Sequence, residues 1–458
     1  MGKLRFVFAL LAGKCAAFLL RIIGRGSNIP GVIMQKICPD ALGRFKMPKL
    51  VICVTGTNGK TGTSNLVTHL LRCGGMKVAN NSEGSNMVSG LLTTLAIHSG
   101  MNGAVKADAA VLEVDERSSP YIYPHFKPDY ILCTNLFRDS IKRNGHSEYI
   151  FDKINDYIPD GTVLLLNGND PISGLLGSEK NEKVFFCVDK TSESTEVCEN
   201  RVCDCRSCPN CHKPLHFEFY HYHHIGQPVC DCGFSMRASA FTGKNVDFQA
   251  GTFDFCTADG GSVNLPFSGK NLFNVFNVTA AAAISMLAGI SLDTIRDGVF
   301  SFTNAKGRFE ETEASGKRIV TMLCKNQNPV SSSQSIGYLN RVSGTKDVVL
   351  LITDSKDAHH GSEDISWLYD VDFSCLAGED VHKVILGGTR CEDLALCLTL
   401  AGVDRSKLEL FHDYDALCRA VPELVAQNGT TVVYYELYAL QIAQRVRSAL
   451  SSKEAAGK

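Results

Sequence analysis

The chain reads as an α/β protein: a central parallel-sheet domain with an inserted cysteine ribbon, followed by a smaller C-terminal α/β domain. Three observations predict this. A β-prone strand, a glycine loop and a helical stretch follow one another between residues 50 and 71. Short apolar strands then alternate with helical stretches, and the same alternation resumes after Ala305-Lys-Gly-Arg-Phe309. Between these regions, residues 196–240 break the rhythm with clustered cysteines and little apolar sequence. The expected bounds are 1–48 for a helix and connector, 49–305 for the central domain, and 306–458 for the last domain. A chain of 458 residues is too long for one core.

Composition narrows the class. Hydrophobic residues at 44% and charged residues at 21% are ordinary for a globular protein, and a net charge of −2 gives no sign of a broad nucleic-acid surface. Of the 19 cysteines, Cys53, Cys133, Cys324 and Cys375 stand alone in apolar segments. Thiols used as small hydrophobes point to a reducing, cytoplasmic compartment.

Residues 1–26 are apolar, with Lys3, Arg5, Lys14, Arg21 and Arg25 spaced through them. A signal peptide would confine its basic residues to the front and end in a small-residue cleavage site. The uncharged runs are too short to span a bilayer. The expectation is an amphipathic helix that packs on the body or lies against the inner membrane face. Pro30-Gly31 breaks the chain, and residues 39–48 read as a connector.

The stretch Val51-Ile-Cys-Val-Thr-Gly-Thr-Asn-Gly-Lys-Thr61 has the order of a phosphate-binding loop. Glycines let the backbone approach an anion, and the helix that follows offers free N–H groups. Gly56, Thr57, Asn58, Gly59, Lys60 and Thr61 are therefore candidate ATP contacts. Lys60 would reach the β/γ-phosphates and the Thr61 hydroxyl would hold Mg²⁺. The spacing G-x-x-G-K-T is shorter than the general G-x-x-x-x-G-K-[ST] pattern. Further strands are expected at 77–81, 109–114, 130–134 and 161–166. Ligands of such sheets bind beyond the carboxyl ends of the strands. Polar residues collect there: Glu113, Asp115, Glu116, Asn135, Asp139, Asn167 and Asp170. Glu113 ends a buried strand, the usual place for a carboxylate that shares Mg²⁺ with phosphate. Asp115 and Glu116 are read as organising the loop or the substrate.

Cys208-Pro-Asn-Cys211 and Cys230-Asp-Cys232 suit a tetrahedral structural Zn²⁺. Cys203, Cys205, His221, His223 and His224 are alternative ligands nearby. A polar segment of this kind needs a staple to fold. Residues 246–263 read as a hairpin turning at Gly260-Gly261. Asn274 and Asn277 share one face of the next helix, either capping it or holding nucleotide. Arg308, in a hinge, is placed to reach a phosphate.

The last domain has expected strands at 318–323, 347–353, 384–386 and 431–435. Its acidic loop runs from Asp354 to Asp372 and holds Trp367 and Tyr369, which argue that it is packed. A carboxylate there could orient an imidazole as in a catalytic triad. The chain shows no convincing Cys/His nucleophile pair of its own; His359 and His360 are adjacent and read as exposed.

With these residues laid out, the chain resembles the Mur ligase family, and within it the MurT branch of lipid II isoglutaminyl synthase subunits. The resemblance rests on Thr55-Gly-Thr-Asn-Gly-Lys-Thr61, Ala110-Val-Leu-Glu-Val-Asp-Glu116, Thr134-Asn-Leu-Phe-Arg-Asp139, Asn274 with Asn277, the cysteine knuckles, and Asp364-Ile-Ser-Trp-Leu-Tyr-Asp-Val-Asp372. It implies Mg-ATP-dependent activation of a carboxylate as an acyl phosphate, then attack by an amine. For the MurT branch it implies ammonia from a separate GatD-like class I glutaminase, and amidation of the D-glutamate α-carboxylate of lipid II. Asp364 would then complete the partner's catalytic triad, with Asp354 and Asp370 as alternatives. The sequence departs from the branch at Asp139-Ser-Ile-Lys-Arg-Asn-Gly145, Cys324-Lys-Asn-Gln-Asn-Pro329 and Glu436-Leu-Tyr-Ala-Leu440. The rival reading is a ligase of the Mur or folylpolyglutamate type that adds an amino acid or uses another acceptor.

Overall fold

The computed structural model describes residues 2–22, 28–81, 85–139, 145–268, 271–302, 309–314, 316–325, 327–352 and 365–451. The chain forms two compact units. The first comprises residues 1–137, 147–198 and 204–304, and the second 138–146, 199–203 and 305–458.

The first unit is built on a nine-stranded sheet. Its strands are β1 (Leu50–Thr55), β2 (Val78–Asn80), β3 (Ala109–Glu113), β4 (Tyr130–Cys133), β5 (Val163–Asn167) and β6 (Lys183–Val188), then, beyond a separate hairpin β7 (His216–Tyr222) and β8 (Ile225–Val229), β9 (Phe241–Asp247), β10 (Thr252–Thr257) and β11 (Ser262–Pro266). The order is β11-β10-β9-β6-β5-β4-β1-β3-β2. All pairings from β2 to β9 are parallel, and β9, β10 and β11 form an antiparallel meander. The expected hairpin at 246–263 is thus part of three strands that begin earlier, at Phe241.

The central strands are buried on both faces and so read as continuous apolar runs rather than as alternation. The chain moves from β1 outward to β2 and β3, then crosses to β4 on the other side. The crevice beside β1 is therefore where a ligand site is expected. The helices Lys60–Cys73 and Leu272–Leu287 pack together, and Gly2–Ile22, Ile29–Ile37 and Val88–His98 pack among themselves. Phe6, Ala9, Leu10 and Met34 join the core that contains Val51, Cys53 and Leu112, so the N-terminal helix packs on the body by one face. No helix of the described residues is long and apolar enough to cross a membrane.

The second unit has six strands: β12 (Phe309–Ala314), β13 (Lys317–Leu323), β14 (Lys346–Leu351), β15 (Val381–Gly387), β16 (Leu408–Phe411) and β17 (Thr430–Tyr435). Their order is β12-β13-β17-β14-β15-β16, with only the β12–β13 pair antiparallel. Apolar clusters cover both faces. Trp367 is buried as expected of a packed loop, whereas Tyr369 is exposed at its surface.

Candidate active site and cysteine cluster

The loop after β1 turns on two glycines with positive φ, Gly56 at 120° and Gly59 at 86°. A Cβ on Gly56 would stand 2.3 Å from Thr134 Oγ1, and one on Gly59 would stand 2.2 Å from Asn277 Oδ1. The loop between them is pinned by the end of β4. The Thr57 N–H donates to the Asn135 carbonyl at 2.8 Å. The Asn58 N–H donates to Asn135 Oδ1 at 3.0 Å, and Asn135 Nδ2 returns a bond to the Asn58 carbonyl at 3.1 Å. Thr57 Oγ1 accepts from the Phe137 N–H at 3.0 Å. Gly59 caps the helix Lys60–Cys73 in a left-handed conformation, with no side-chain cap. The first turn thus keeps its N–H groups for an anion.

These geometries make Gly59→Ala a local test. The left-handed φ costs a side chain about 1–2 kcal/mol, and the new methyl meets Asn277. Nucleotide affinity, measured by calorimetry, is expected to fall by about tenfold; an unchanged affinity would show that the loop does not cradle phosphate.

Lys60 is the charged centre. Its ammonium lies 2.7 Å from Glu116 Oε1, with 11% and 4% of the two side chains exposed. It also donates to the Gly56 carbonyl. Burial opposes the charge, but Glu116, Asp115 and Glu113 more than reverse this and hold Lys60 above the ordinary lysine range. Burial raises the Glu116 carboxyl, with Lys60 pulling the other way. Glu116 thus acts on the loop lysine itself, a closer role than general organisation of the loop. Glu113 lies at the carboxyl end of β3, in register with Val54. The Glu113 N–H donates to Asn81 Oδ1 at 2.8 Å, Asn81 Nδ2 donates to the Glu113 carbonyl at 2.9 Å, and the Glu113 carboxylate accepts from Asn86 Nδ2 at 3.2 Å.

Other candidate residues are sorted by the same geometry. Asn277 reaches the loop beside Gly59 and Gly62, while Asn274, one turn earlier, donates to the Ser268 carbonyl at 2.6 Å. Asn271, not Asn274, caps this helix. Asn167 and Asp170 are fully buried and tie strand ends together: Asn167 donates to the Thr134 carbonyl at 3.0 Å, and Asp170 accepts from the Leu136 N–H at 2.8 Å. Asp139 counts with the second unit, 3.6 Å from Lys325 Nζ. Arg308, Asp354, Asp364, His359 and His360 lie outside the described residues.

The cradle fits nucleotide phosphates. An uncapped helix start, two glycine positions that a Cβ would fill, and a lysine kept charged by three acids form a suitable donor set. Thr61 and Glu113 are oxygen donors of the type Mg²⁺ takes.

In the insertion, the four sulfurs of Cys208, Cys211, Cys230 and Cys232 lie within 4.8 Å of one another. Cys208 and Cys232 are 3.5 Å apart, as are Cys211 and Cys230. Four thiolates at such spacing can share one tetrahedral ion. Cys205 lies outside the group, and burial pushes its thiol up to about 12. His221, His223 and His224 lie outside it as well; His221 bonds Ser194 Oγ and the Val188 carbonyl, both at 3.0 Å, and His224 lies 3.4 Å from Asp170.

In the second unit, Asp370 is 3.5 Å from Arg138. A thiol–imidazole neighbour pair that the sequence reading missed is also present: Cys391 Sγ is 3.5 Å from His412 Nδ1. Burial raises this thiol, the wrong direction for a nucleophile.

Comparison with known proteins agrees with this geometry. A family model described as Mur ligase middle domain matches residues 54–203, and one described as MurT ligase C-terminal matches residues 324–439. The lipid II isoglutaminyl synthase (glutamine-hydrolyzing) subunit MurT of Staphylococcus aureus (strain N315) is 30% identical over 399 residues, covering 86% of this chain and 88% of that protein. Its namesake from Streptococcus pneumoniae (strain ATCC BAA-255 / R6) is 29% identical, over 89% of each chain. Among solved structures, a pseudomurein peptide ligase type C from Methanothermus fervidus superposes with a TM-score of 0.69 at 19% identity, covering 91% of this chain and 83% of that one. MurF ligase from Thermotoga maritima, in complex with ADP, gives 0.58 at 18% identity, over 93% and 84%. These two likenesses show the fold.

Proposed function

Because the chain belongs to the Mur ligase family, in its MurT branch, we propose that it is the synthetase subunit of a lipid II isoglutaminyl synthase. It is an ATP-dependent ligase. The proposal concerns what is joined. A carboxylate oxygen of the D-glutamate residue of lipid II attacks the γ-phosphorus of ATP, ADP leaves, and an acyl phosphate remains. Ammonia then attacks the acyl carbon, phosphate leaves, and a proton is lost to give the amide of D-isoglutamine.

The chain's own residues supply charge and position. The helix start and Lys60 face charge that develops on the transferring phosphoryl group, released from Glu116 as the phosphate arrives. Asn277 fixes the loop from the other side. Thr61 and Glu113 would hold Mg²⁺, whose charge would offset that of the phosphates. Arg308 would add a further phosphate contact. A zinc ion on Cys208, Cys211, Cys230 and Cys232 would be structural, since four protein ligands leave no open position.

The observation that favours ammonia over an amino acid is the joint match: a MurT-type C-terminal region behind a Mur-type loop. Ammonia would come from a GatD-like glutaminase subunit, with Asp364 completing its triad. The reaction would run on the cytoplasmic side of the membrane, where ATP is present.

The test supplies the purified chain with ATP and lipid II and measures phosphate release. Ammonium is expected to stimulate it and free amino acids are not; the reverse would overturn amidation in favour of an amino-acid-adding ligase. With the glutaminase present, Asp364→Asn is expected to lose glutamine-driven turnover and keep ammonium-driven turnover. Equal loss of both would remove Asp364 from the triad.

A further inference from the structure

The helix Gly2–Ile22 is apolar on two opposite faces, and the fold uses only one. Phe6, Ala9, Leu10 and Gly13 are buried against the body. On the other side Leu4, Phe8, Leu11, Phe18 and Ile22 are 79%, 62%, 49%, 69% and 70% exposed. Their spacing of three and four, with Cys15 in the gap, keeps them on one stripe. Val7 and Leu19, also exposed, widen it to about 120° of the helix at 100° per residue.

Charge decides what can cover this stripe. The helix carries Lys3, Arg5, Lys14 and Arg21 and no acidic residue. Lys14 turns inward to the Ser99 carbonyl at 2.7 Å and Arg5, itself exposed, donates to the Ile37 carbonyl, while Lys3 and Arg21 are exposed along one edge. A second copy of this helix would bring like charges together with no acid to answer them. The stripe is also wider than the narrow seam of a paired coil. Exposed phenylalanines bordered by basic side chains match the acyl and headgroup layers of an anionic bilayer. At about 1.5 Å per residue the helix offers roughly 30 Å of contact along the surface.

We propose that the outward face of the helix Gly2–Ile22 docks in the plane of an anionic membrane surface, anchoring the first unit by Phe8, Phe18 and Ile22 with Lys3 and Arg21 on the headgroups. The inference stands on the helix alone. Should the amidation reading also hold, docking would bring the ATP site's unit to a lipid-borne acceptor.

The full chain is sedimented with phosphatidylglycerol vesicles and with phosphatidylcholine vesicles. It is expected to bind the first more tightly than the second. Phe8→Glu with Phe18→Glu should weaken binding at least about tenfold. These side chains are exposed, so the melting temperature of that variant should match the parent. Lys3→Glu with Arg21→Glu should erase the preference for phosphatidylglycerol while sparing the fold. The proposal is overturned if the parent chain binds neither vesicle, if the phenylalanine variant binds as well as the parent, or if light scattering shows a dimer that this variant dissolves. None of these readouts depends on catalysis, so failure here is distinguishable from failure of the amidation reading.

Discussion

Replacing Lys60 by alanine is expected to lower ATP-dependent turnover by about 10²–10³-fold, the usual loss when one charge-stabilising donor is removed from a phosphoryl-transfer site. The same change should also lower stability, for a separate reason. Glu116 has 4% of its side chain exposed and Lys60 is its ion-pair partner at 2.7 Å. Removing one member of a buried pair leaves an uncompensated charge, at a cost of about 3 kcal/mol. The two effects separate in the double variant Lys60→Ala with Glu116→Gln. Its melting temperature should recover toward the parent, because a neutral amide needs no counter-charge, while turnover should stay lost. If the double variant regained activity, Lys60 would be a structural partner of Glu116 and nothing more.

Stripping metal from the cysteine cluster is expected to unfold the cysteine knuckles without removing the nucleotide site. The four sulfurs lie together, and Cys208, Leu215 and Phe234 with a few half-buried neighbours form a small core around them. A core that small would need a bound metal to offset the conformational entropy of ordering the knuckles. Purified chain should carry about one equivalent of zinc by mass spectrometry. Chelation, or Cys208→Ser with Cys211→Ser, should release it and make the two cysteine knuckles exchange their amide hydrogens rapidly, while the hairpin β7–β8, tied to the first unit through His221 and His224, stays protected. Nucleotide affinity should change little, since the cluster is distinct from the loop at Gly56 to Thr61. Chain purified under reducing conditions without metal, yet protected in the knuckles, would contradict the assignment.

Legibility differed between kinds of residue. The strands β1, β3, β4 and β5 were readable because burial on both faces makes them unbroken apolar runs. The loop was readable because glycine spacing and Gly-Lys-Thr are local in sequence. β12, with Glu310, Glu311 and Glu313, was not, since its pairing with β13 comes from tertiary contact at a sheet edge and leaves no hydrophobic signal. β6 is absent from the expected strands although Val184-Phe-Phe-Cys-Val188 is an apolar run. Within the site, Glu113 could be placed from its position at a strand end. The grip of Glu116 on Lys60 could not, because 56 residues separate them and either Asp115 or Glu116 satisfies the pattern. Asn277 against Gly59 is of the same kind: helical spacing puts Asn274 and Asn277 on one face, and only the packing of Leu272–Leu287 shows which of them meets the loop.

The central claim is that a phosphate-activated carboxylate is joined to ammonia. Mass spectrometry of lipid II after incubation with the chain, ATP and ¹⁵N-ammonium tests it most directly. One carboxyl of the stem peptide should become an amide carrying the label, omission of ATP should prevent this, and Lys60→Ala should yield almost none. Unlabelled lipid II, or a product enlarged by a whole amino acid when amino acids are supplied, would contradict it.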